Sequence, residues 1–179
     1  MLRVDSGKVI LRGIAPEDLD TLFEWMQDAE LLRSINRTVK TTRDSHRVWY
    51  QRVLIDESQL VLSIDLNETG AFIGQCGLKH IDLNNRKAEL WIFIGDRRSR
   101  GRGYGGDAVR GLLLHAFEKI GLNRVSVYVV SYNEDACRFY ERLGFRLEGR
   151  FRQDIFMDAR FYDTVHMAVL KEEYGKSIK

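Results

Sequence analysis

RRSRGRGYGGDAVRGLLLHAF, residues 97–117, holds four arginines and four glycines in its first ten positions and then becomes apolar. The apolar residues recur at helical spacing, at positions Val109, Leu112, Leu113, Ala116 and Ile120. Gly121 follows at a position where helices commonly end. The stretch therefore predicts a loop rich in glycine and arginine that leads directly into an amphipathic helix.

Such a junction favours the binding of phosphates. Glycine has no Cβ to obstruct an oxyanion, and the first N–H groups of a helix lack partners within the helix. Arg97, Arg98, Arg100 and Arg102 add positive charge that persists at every physiological pH. The alternative, a flexible surface loop that carries arginines, fits less well with a strand before the loop and a helix after it.

Three phosphate motifs compete for this loop. A Walker loop requires Gly-Lys-Ser/Thr, whereas residues 106–108 read GDA and introduce a carboxylate that would repel an anion. The G-x-G-x-x-G of a dinucleotide fingerprint can be traced from Gly101. That motif also requires an acidic residue about 20 residues further on, and the strand at 124–130 has none. The remaining interpretation is R-x-x-G-x-G, beginning at Arg100.

Composition predicts one globular domain over residues 1–179. The chain is 44% hydrophobic and 30% charged, with a net charge of +2, which argues against nucleic-acid binding. We find no apolar run near the ~18 residues that span a bilayer and no signal-peptide pattern, so we expect a cytoplasmic protein without a membrane partner. Cys76 and Cys137 are too few for a disulfide framework and fit buried thiols in a reducing compartment.

The rest of the chain alternates between helices and short strands. Strands are predicted at residues 9–14, 60–65, 71–81, 87–95 and 124–130, with a final pair of strands that turns near 157–160. Helices are predicted after residue 15, at about 44–56 and at 133–144. Short polar links between the strands of 60–95 indicate an antiparallel meander. Together these elements predict a mixed α/β fold.

The loop from Arg100 to Gly105, R-G-R-G-Y-G, resembles the pyrophosphate loop of the GNAT superfamily of N-acetyltransferases. AELWIFIG (88–95) before the loop, NEDACRFYERLGF (133–145) after it and the final strand pair occur in that family's order. The similarity covers about residues 8 to 170, and it is greatest to the branch that acetylates ribosomal-protein N termini and polyamines. It implies a largely antiparallel central sheet, flanked by helices and splayed between its two central strands.

The resemblance also implies acetyl-CoA as the co-substrate, with no metal. The pantetheine arm would pair with the backbone of Ile92, Phe93 and Ile94. The phosphates would be held by the loop, that is, by Arg100, Gly101, Arg102, Gly103, Tyr104, Gly105 and Gly106. Asn133 would contact the cofactor, or simply cap its own helix.

Two residues are implied to act on protons. Tyr140 matches the family tyrosine that protonates the departing thiolate, and a phenol with a pKa near 10 keeps its proton at pH 7. Glu89 is either the base, acting through a water molecule, or a structural hydrogen-bond partner. The histidines have no convergent spacing and are interpreted as structural or exposed rather than as metal ligands; they are His46, His80, His115 and His166.

The resemblance implies that the acceptor is a primary amine, either a small molecule or a protein N terminus. Trp25, Trp49 and Tyr50 are candidates to line its pocket, with core packing as the alternative for each tryptophan. Residues 33–52 carry one acidic residue, Asp44, and six basic ones: Arg33, Arg37, Lys40, Arg43, Arg47 and Arg52. That charge favours an anionic acceptor, such as a nucleotide-linked amino sugar, over a polyamine, unless the segment is only a solvated face. An acyl-CoA sensor without turnover stays open, and the resemblance allows a homodimer.

Overall fold

The computed structural model describes residues 2–37 and 39–177, with side chains up to residue 174. The chain divides into two compact units. The first comprises the described residues up to Lys79 together with Trp91–Leu112, and the second comprises His80–Leu90 and Leu113 onward. Two strands and one long helix contribute residues to both units. A single acetyltransferase domain over residues 1–179 stays a prediction.

The strands are β1 (Arg3–Ser6), β2 (Val9–Gly13), β3 (Leu60–Leu66), β4 (Phe72–Asp82), β5 (Lys87–Ile94), β6 (Arg124–Val130), β7 (Arg146–Met157) and β8 (Arg160–Leu170). The α-helices are α1 (Leu19–Trp25), α2 (Ala29–Ser34), α3 (Arg43–Val53), α4 (Tyr104–His115), α5 (Glu134–Arg142) and α6 (Lys171–Ser177). In the described residues the strands follow the order β1-β2-β3-β4-β5-β6-β8-β7. The predicted mixed α/β fold with a largely antiparallel sheet is confirmed.

The parallel pair β5–β6 interrupts the antiparallel pattern. Its register consists of Lys87 with Arg124, Ala88 with Val125, and Glu89 with Ser126. Beyond Glu89, β5 continues to Ile94, and β6 continues to Val130. The ladder therefore stops near the start of both strands, as the splayed sheet of the sequence prediction requires. In the described residues, the pairing of β5 with β6 therefore ends at Glu89.

Alternation decides which residues enter the core. On β6, Val125 and Val127 are almost fully buried, whereas Ser126 and Tyr128 point to the opposite face of the strand. On β8, Met167 and Val169 are likewise buried. The opposite face of these two strands is therefore the one that carries polar side chains.

The predicted elements are present with boundaries within a few residues, and the structure adds helix α6 (Lys171–Ser177), which the sequence analysis did not predict. The helix after the glycine loop continues as a π-helical turn over Ala116–Ile120. Gly121 ends it with a left-handed φ of 82°. Strand β1 and helix α2 were not anticipated, because both are shorter than the windows in which periodicity can be recognised. None of the helices in the described ranges combines the length and apolarity needed to cross a bilayer.

A partly buried ionic network holds β2 to the start of α1 in the first unit. Arg12 donates to Asp18 at 2.7 and 2.8 Å and to Asp65 at 2.6 and 3.1 Å. Asp18 also accepts from the Ser63 hydroxyl at 2.7 Å and from the Ala15 amide at 2.9 Å. Burial acts to raise the pKa of Asp18, but these hydrogen bonds outweigh it and lower the pKa.

Candidate active site

The glycine loop has the backbone shape that anion binding requires. Gly101 and Gly103 adopt left-handed φ values of 72° and 87°, and a Cβ at either position would meet nothing within 4 Å. Helix α4 begins at the next residue, Tyr104. Its first backbone bonds run from the Gly106 and Asp107 amides to the Gly103 carbonyl, at 3.0 and 3.2 Å. The amides before Gly106 therefore precede the helical ladder and face an approach free of side chains.

Two of the four loop arginines are used to anchor the loop. Arg97 forms ion pairs with Asp28 at 3.0 Å and Glu30 at 3.3 Å. Arg100 donates to the carbonyls of Ile94 and Gly95 at 2.9 and 3.2 Å, and lies 3.5 Å from Glu30. The Arg100 guanidinium thus faces the end of β5, whereas Arg98 and Arg102 are exposed. These contacts hold the loop in place and leave the other two cations to solvent or ligand.

Asp107, the acidic residue that excluded a Walker loop, is held by other parts of the first unit. Its carboxylate pairs with Arg110 at 2.9 Å and lies 3.4 Å from the Lys8 amide. Its backbone carbonyl accepts from the Ser6 hydroxyl at 2.6 Å. Arg110 therefore offsets the negative charge at the start of α4.

The strand predicted to hold pantetheine is shaped by its neighbours. Phe93 makes an edge contact with Trp25, with ring centroids 6.3 Å apart, and a Cβ at Gly95 would lie 2.1 Å from the Trp25 ring. On β4, a Cβ at Gly74 would lie 2.3 Å from the Phe93 carbonyl. Glycine at these positions lets α1 and β4 approach the backbone of β5. Trp25 thus packs against Phe93 and beside Gly95, which is the packing role considered for it; its place in an acceptor pocket stays a prediction.

Tyr140 belongs to α5 and Asn133 caps its N terminus, both in the second unit. The Asn133 side chain accepts from the Ala136 amide at 3.1 Å, so it caps the helix as predicted. Tyr140 is 8% exposed, and its ring contacts Phe139 and Phe145 at centroid distances of 5.0 and 5.3 Å. These aromatic contacts fix the ring of Tyr140 and keep most of it out of water.

Glu89 lies in the second unit as well, on β5 and opposite Ser126 of β6. Its side chain is 15% exposed, and its carboxylate is 4.0 Å from Nε2 of His80. The structure therefore brings both implied proton-transfer residues into one unit. The loop and residues 92–94 belong to the other.

Sequence reasoning missed one polar group on this face of the second unit. His166 of β8 stacks on Tyr128 and lies 3.8 Å from Glu148. Burial lowers the pKa of His166, and the opposing effect of Glu148 does not restore it. In the sequence, His166 stands between Val165 and Met167, and that pattern does not show which side chains surround it.

The thiols and the other histidines show no catalytic environment. Burial raises the pKa of the Cys76 thiol strongly and that of Cys137 to a lesser degree, so neither favours a thiolate. Burial also lowers the pKa of His46 and His115. Within the described ranges, no three potential metal ligands come together.

Comparison with known proteins decides the family. The model of the GNAT acetyltransferase domain matches residues 8–146. The N-acetyltransferase p20 of Bacillus licheniformis is 31% identical over 95% of this chain and 97% of its own length. The chain belongs to the GNAT acetyltransferase family. It is an acyltransferase of the acetyl-CoA-dependent class, and the resemblance drawn from the loop is confirmed.

Other relatives of this GNAT enzyme come from the two predicted branches. YdaF of Bacillus subtilis, named for ribosomal N-acetylation, is 34% identical over 59% of this chain and 57% of its own. The crystal structure of a spermidine N-acetyltransferase from Vibrio cholerae, in complex with CoA and spermine, superposes with a TM-score of 0.88. It is 22% identical and covers 93% of this chain and 98% of that one, so it supports the fold.

Proposed function

We propose that this GNAT enzyme transfers the acetyl group of acetyl-CoA to a primary amine by direct attack. When bound, the thioester supplies the carbonyl carbon that the amine attacks. The observation that carries the proposal is the loop at 101–105: two left-handed glycines with open space at both Cβ positions, followed at once by the first turn of α4. Backbone amides in this arrangement fit a pyrophosphate.

The cofactor would be held by residues of the first unit. Amides of Gly101, Gly103 and Gly105 would receive the phosphates, with Arg102 offsetting charge from its exposed position. Arg100 would contribute through its backbone and by anchoring the loop, because its guanidinium already donates to two carbonyls. The free edge of β5 would pair with pantetheine through the backbone of residues 92–94, which fixes an extended ligand by main-chain bonds.

Tyr140 would act as the general acid. Its phenol keeps its proton at neutral pH, and the rings of Phe139 and Phe145 hold it in one orientation. Asn133 would support Tyr140 indirectly, because its side chain caps the N terminus of the helix that carries Tyr140. Glu89 would be the base, accepting a proton from the ammonium form of the acceptor through a water molecule; the alternative is a structural hydrogen-bond partner.

The charges around α3 support an acceptor that carries an anionic group. The six basic side chains of residues 33–52 are all exposed to solvent. Of the two acidic residues in 30–55, Glu30 is within 3.5 Å of both Arg97 and Arg100. The other acidic residue of this segment, Asp44 of α3, is not paired with the loop. The segment therefore offers few carboxylates that could bind a polycation. An amino sugar linked to a nucleotide, or an N terminus in an acidic peptide, fits this charge.

The test is a thiol-release assay with acetyl-CoA and a panel of amines. The panel contains spermidine, an aminoglycoside, a nucleotide-linked amino sugar and short peptides with free N termini, one acidic and one basic. We expect release with an anionic acceptor, and a loss of about 10²–10⁴ in kcat for Tyr140→Phe with an unchanged Kd for acetyl-CoA. Faster turnover of spermidine than of any anionic amine would overturn the acceptor class. No release with any amine, despite binding of acetyl-CoA, would overturn amine acetylation.

A further inference from the structure

Two carboxylates lie beside the loop that is proposed to bind phosphates. Asp28 caps the N terminus of α2, and Glu30 lies in the first turn of that helix. Each is within 3.5 Å of an arginine at the start of the loop. A carboxylate near a phosphate site repels the bound anion, and salt removes this repulsion only beyond about 8 Å. Acidic side chains in this position therefore call for a role that outweighs the repulsion.

Asp28 makes the more specific contacts of the two. Nε of Arg97 donates to its Oδ2 at 3.1 Å, and Nη2 of Arg97 lies 3.0 and 3.1 Å from its two oxygens. Nη2 of Arg100 lies 3.9 Å from the same carboxylate. The Asp28 side chain is 20% exposed, whereas that of Glu30 is 69% exposed. A pair in which two donors contact a mostly covered carboxylate loses less to solvent than an exposed pair does.

The Asp28 carboxylate is charged at neutral pH and has two separate contacts. Burial acts to raise the pKa of Asp28, but hydrogen bonds from Arg97 and from the Glu30 amide outweigh burial and lower the pKa. The bond from the Glu30 amide, at 3.0 Å, caps α2. The bonds from Arg97 reach outside the helix. Asparagine is as good a cap as aspartate but lacks the charge, so the two contacts can be separated by substitution.

The two arginines connect Asp28 to the loop and to the end of β5. Arg97 begins the short 3₁₀ turn Arg97–Ser99, which leads into the loop. Arg100 is the first residue of the loop, and its guanidinium donates to the carbonyls of Ile94 and Gly95. Asp28 therefore contacts both side chains that fix the backbone between β5 and the glycines.

Apolar packing holds Asp28 itself in place. Trp25, at the end of α1, packs against Phe93 and beside Gly95. Phe93 also packs against a buried cluster formed by Met26, Leu31 and Leu32. The residues on both sides of Asp28 are therefore fixed against β5. Its carboxylate can hold an arginine at one position, because it has little freedom to follow the arginine.

We infer that Asp28 is a positioning residue for the cofactor, which holds Arg97 and Arg100 so that the loop is ordered before acetyl-CoA binds. The inference rests on the proposed function and adds a residue to it. A loop that is ordered in advance loses less conformational entropy on binding, so the affinity is higher. Repulsion and positioning have opposite signs. Removing the charge of Asp28 strengthens acetyl-CoA binding if repulsion dominates, and weakens it if positioning dominates.

The experiment compares Asp28→Asn with wild type by calorimetric titration with acetyl-CoA and by steady-state kinetics with the best amine of the panel. We expect the Kd and KM for acetyl-CoA to rise about 5- to 20-fold, with kcat changed less than about 2-fold. The matched control is Asp20→Asn, which removes the same charge from α1. The Asp20 carboxylate is 91% exposed and pairs with Arg43. We expect this control to leave the Kd unchanged.

Arg97→Gln tests whether Asp28 acts through the arginine. If it does, Asp28→Asn should change the Kd by less than about 2-fold once Arg97 is replaced, because the two substitutions remove the same contact. If Asp28→Asn has the same effect on the Kd with and without Arg97, Asp28 acts only through its own helix. That result would overturn the inference.

The remaining outcomes separate the inference from the proposed function. If Asp28→Asn leaves the Kd unchanged or lowers it, the inference is wrong, while the proposed function stands as long as wild type acetylates an amine. A lower kcat with an unchanged Kd also contradicts positioning. If wild type binds acetyl-CoA and acetylates no amine, the proposed function fails, and the calorimetric comparison still decides the role of Asp28. If wild type does not bind acetyl-CoA, both fail.

Discussion

Replacing Gly103 by alanine tests whether the loop binds phosphates through its backbone. Gly103 has a φ of 87°, and a Cβ there would meet nothing within 4 Å. In the protein alone, the change therefore introduces conformational strain without a clash. A left-handed residue other than glycine costs about 1–2 kcal/mol. For a chain of this length, each kcal/mol corresponds to about 2–4 °C in Tm.

The effect on acetyl-CoA binding should exceed this strain. A Cβ at position 103 occupies the space through which a phosphate oxygen reaches the loop amides. The loss of one hydrogen bond to a charged group is worth about 1.5–3 kcal/mol, which corresponds to a Kd about 10- to 150-fold higher. We therefore expect a large loss of affinity together with a modest loss of stability.

Gly70 provides a matched control. It lies in the turn between β3 and β4, has a φ of 70°, and a Cβ there would also meet nothing within 4 Å. Gly70→Ala should therefore lower Tm about as much as Gly103→Ala and leave the Kd for acetyl-CoA unchanged. Thermal unfolding and calorimetric titration with acetyl-CoA measure the two quantities. Equal affinities for the two variants would refute phosphate binding by the loop backbone.

Four further substitutions, one of them a control, test the packing and the pH response. Asp18→Ala should cost about 1–3 kcal/mol of unfolding free energy, because it leaves the buried Ser63 hydroxyl and the Ala15 amide without their acceptor, while Arg12 keeps its pairing with Asp65. Asp20→Ala, whose carboxylate is 91% exposed, should cost at most about 1 kcal/mol in the same denaturant titration. His46 has a pKa lowered by burial, so below about pH 6.5 the unfolded chain binds more protons and stability falls. His46→Phe should reduce that slope by up to about 1.4 kcal/mol per pH unit, and an unchanged slope would contradict the assignment. Gly95→Ala, with its Cβ 2.1 Å from the Trp25 ring, should cost about 1–3 kcal/mol, and a neutral result would contradict the close approach.

Local signals in the sequence predicted most of the fold. The glycine loop, the helix that follows it and the cap at Asn133 depend on neighbouring residues, so their spacing was sufficient. Strand β1 and helix α2 escaped detection because four and six residues carry too little periodicity. Their structure depends on pairing and packing with segments distant in the chain.

The sequence likewise predicted some residues of the candidate site and not the arrangement of others. The residue types at Tyr140 and Glu89 could be identified by their resemblance to a family, and their catalytic roles stay predictions. The orientation of His166 could not be predicted, because it requires β7 and β6 to bring Glu148, Phe151 and Tyr128 around one ring. No spacing in the chain encodes that register.

By itself, the sequence determined where a glycine-rich loop meets a helix, because glycine conformation and helix termini are properties of adjacent residues. Only the tertiary structure decided which of the loop arginines are paired with other groups of the protein. It turned Arg97 and Arg100 toward Asp28, Glu30 and two backbone carbonyls. It also placed a histidine beside a carboxylate. Ion pairs depend on distances across strands and helices, and those distances exist only once the chain has folded.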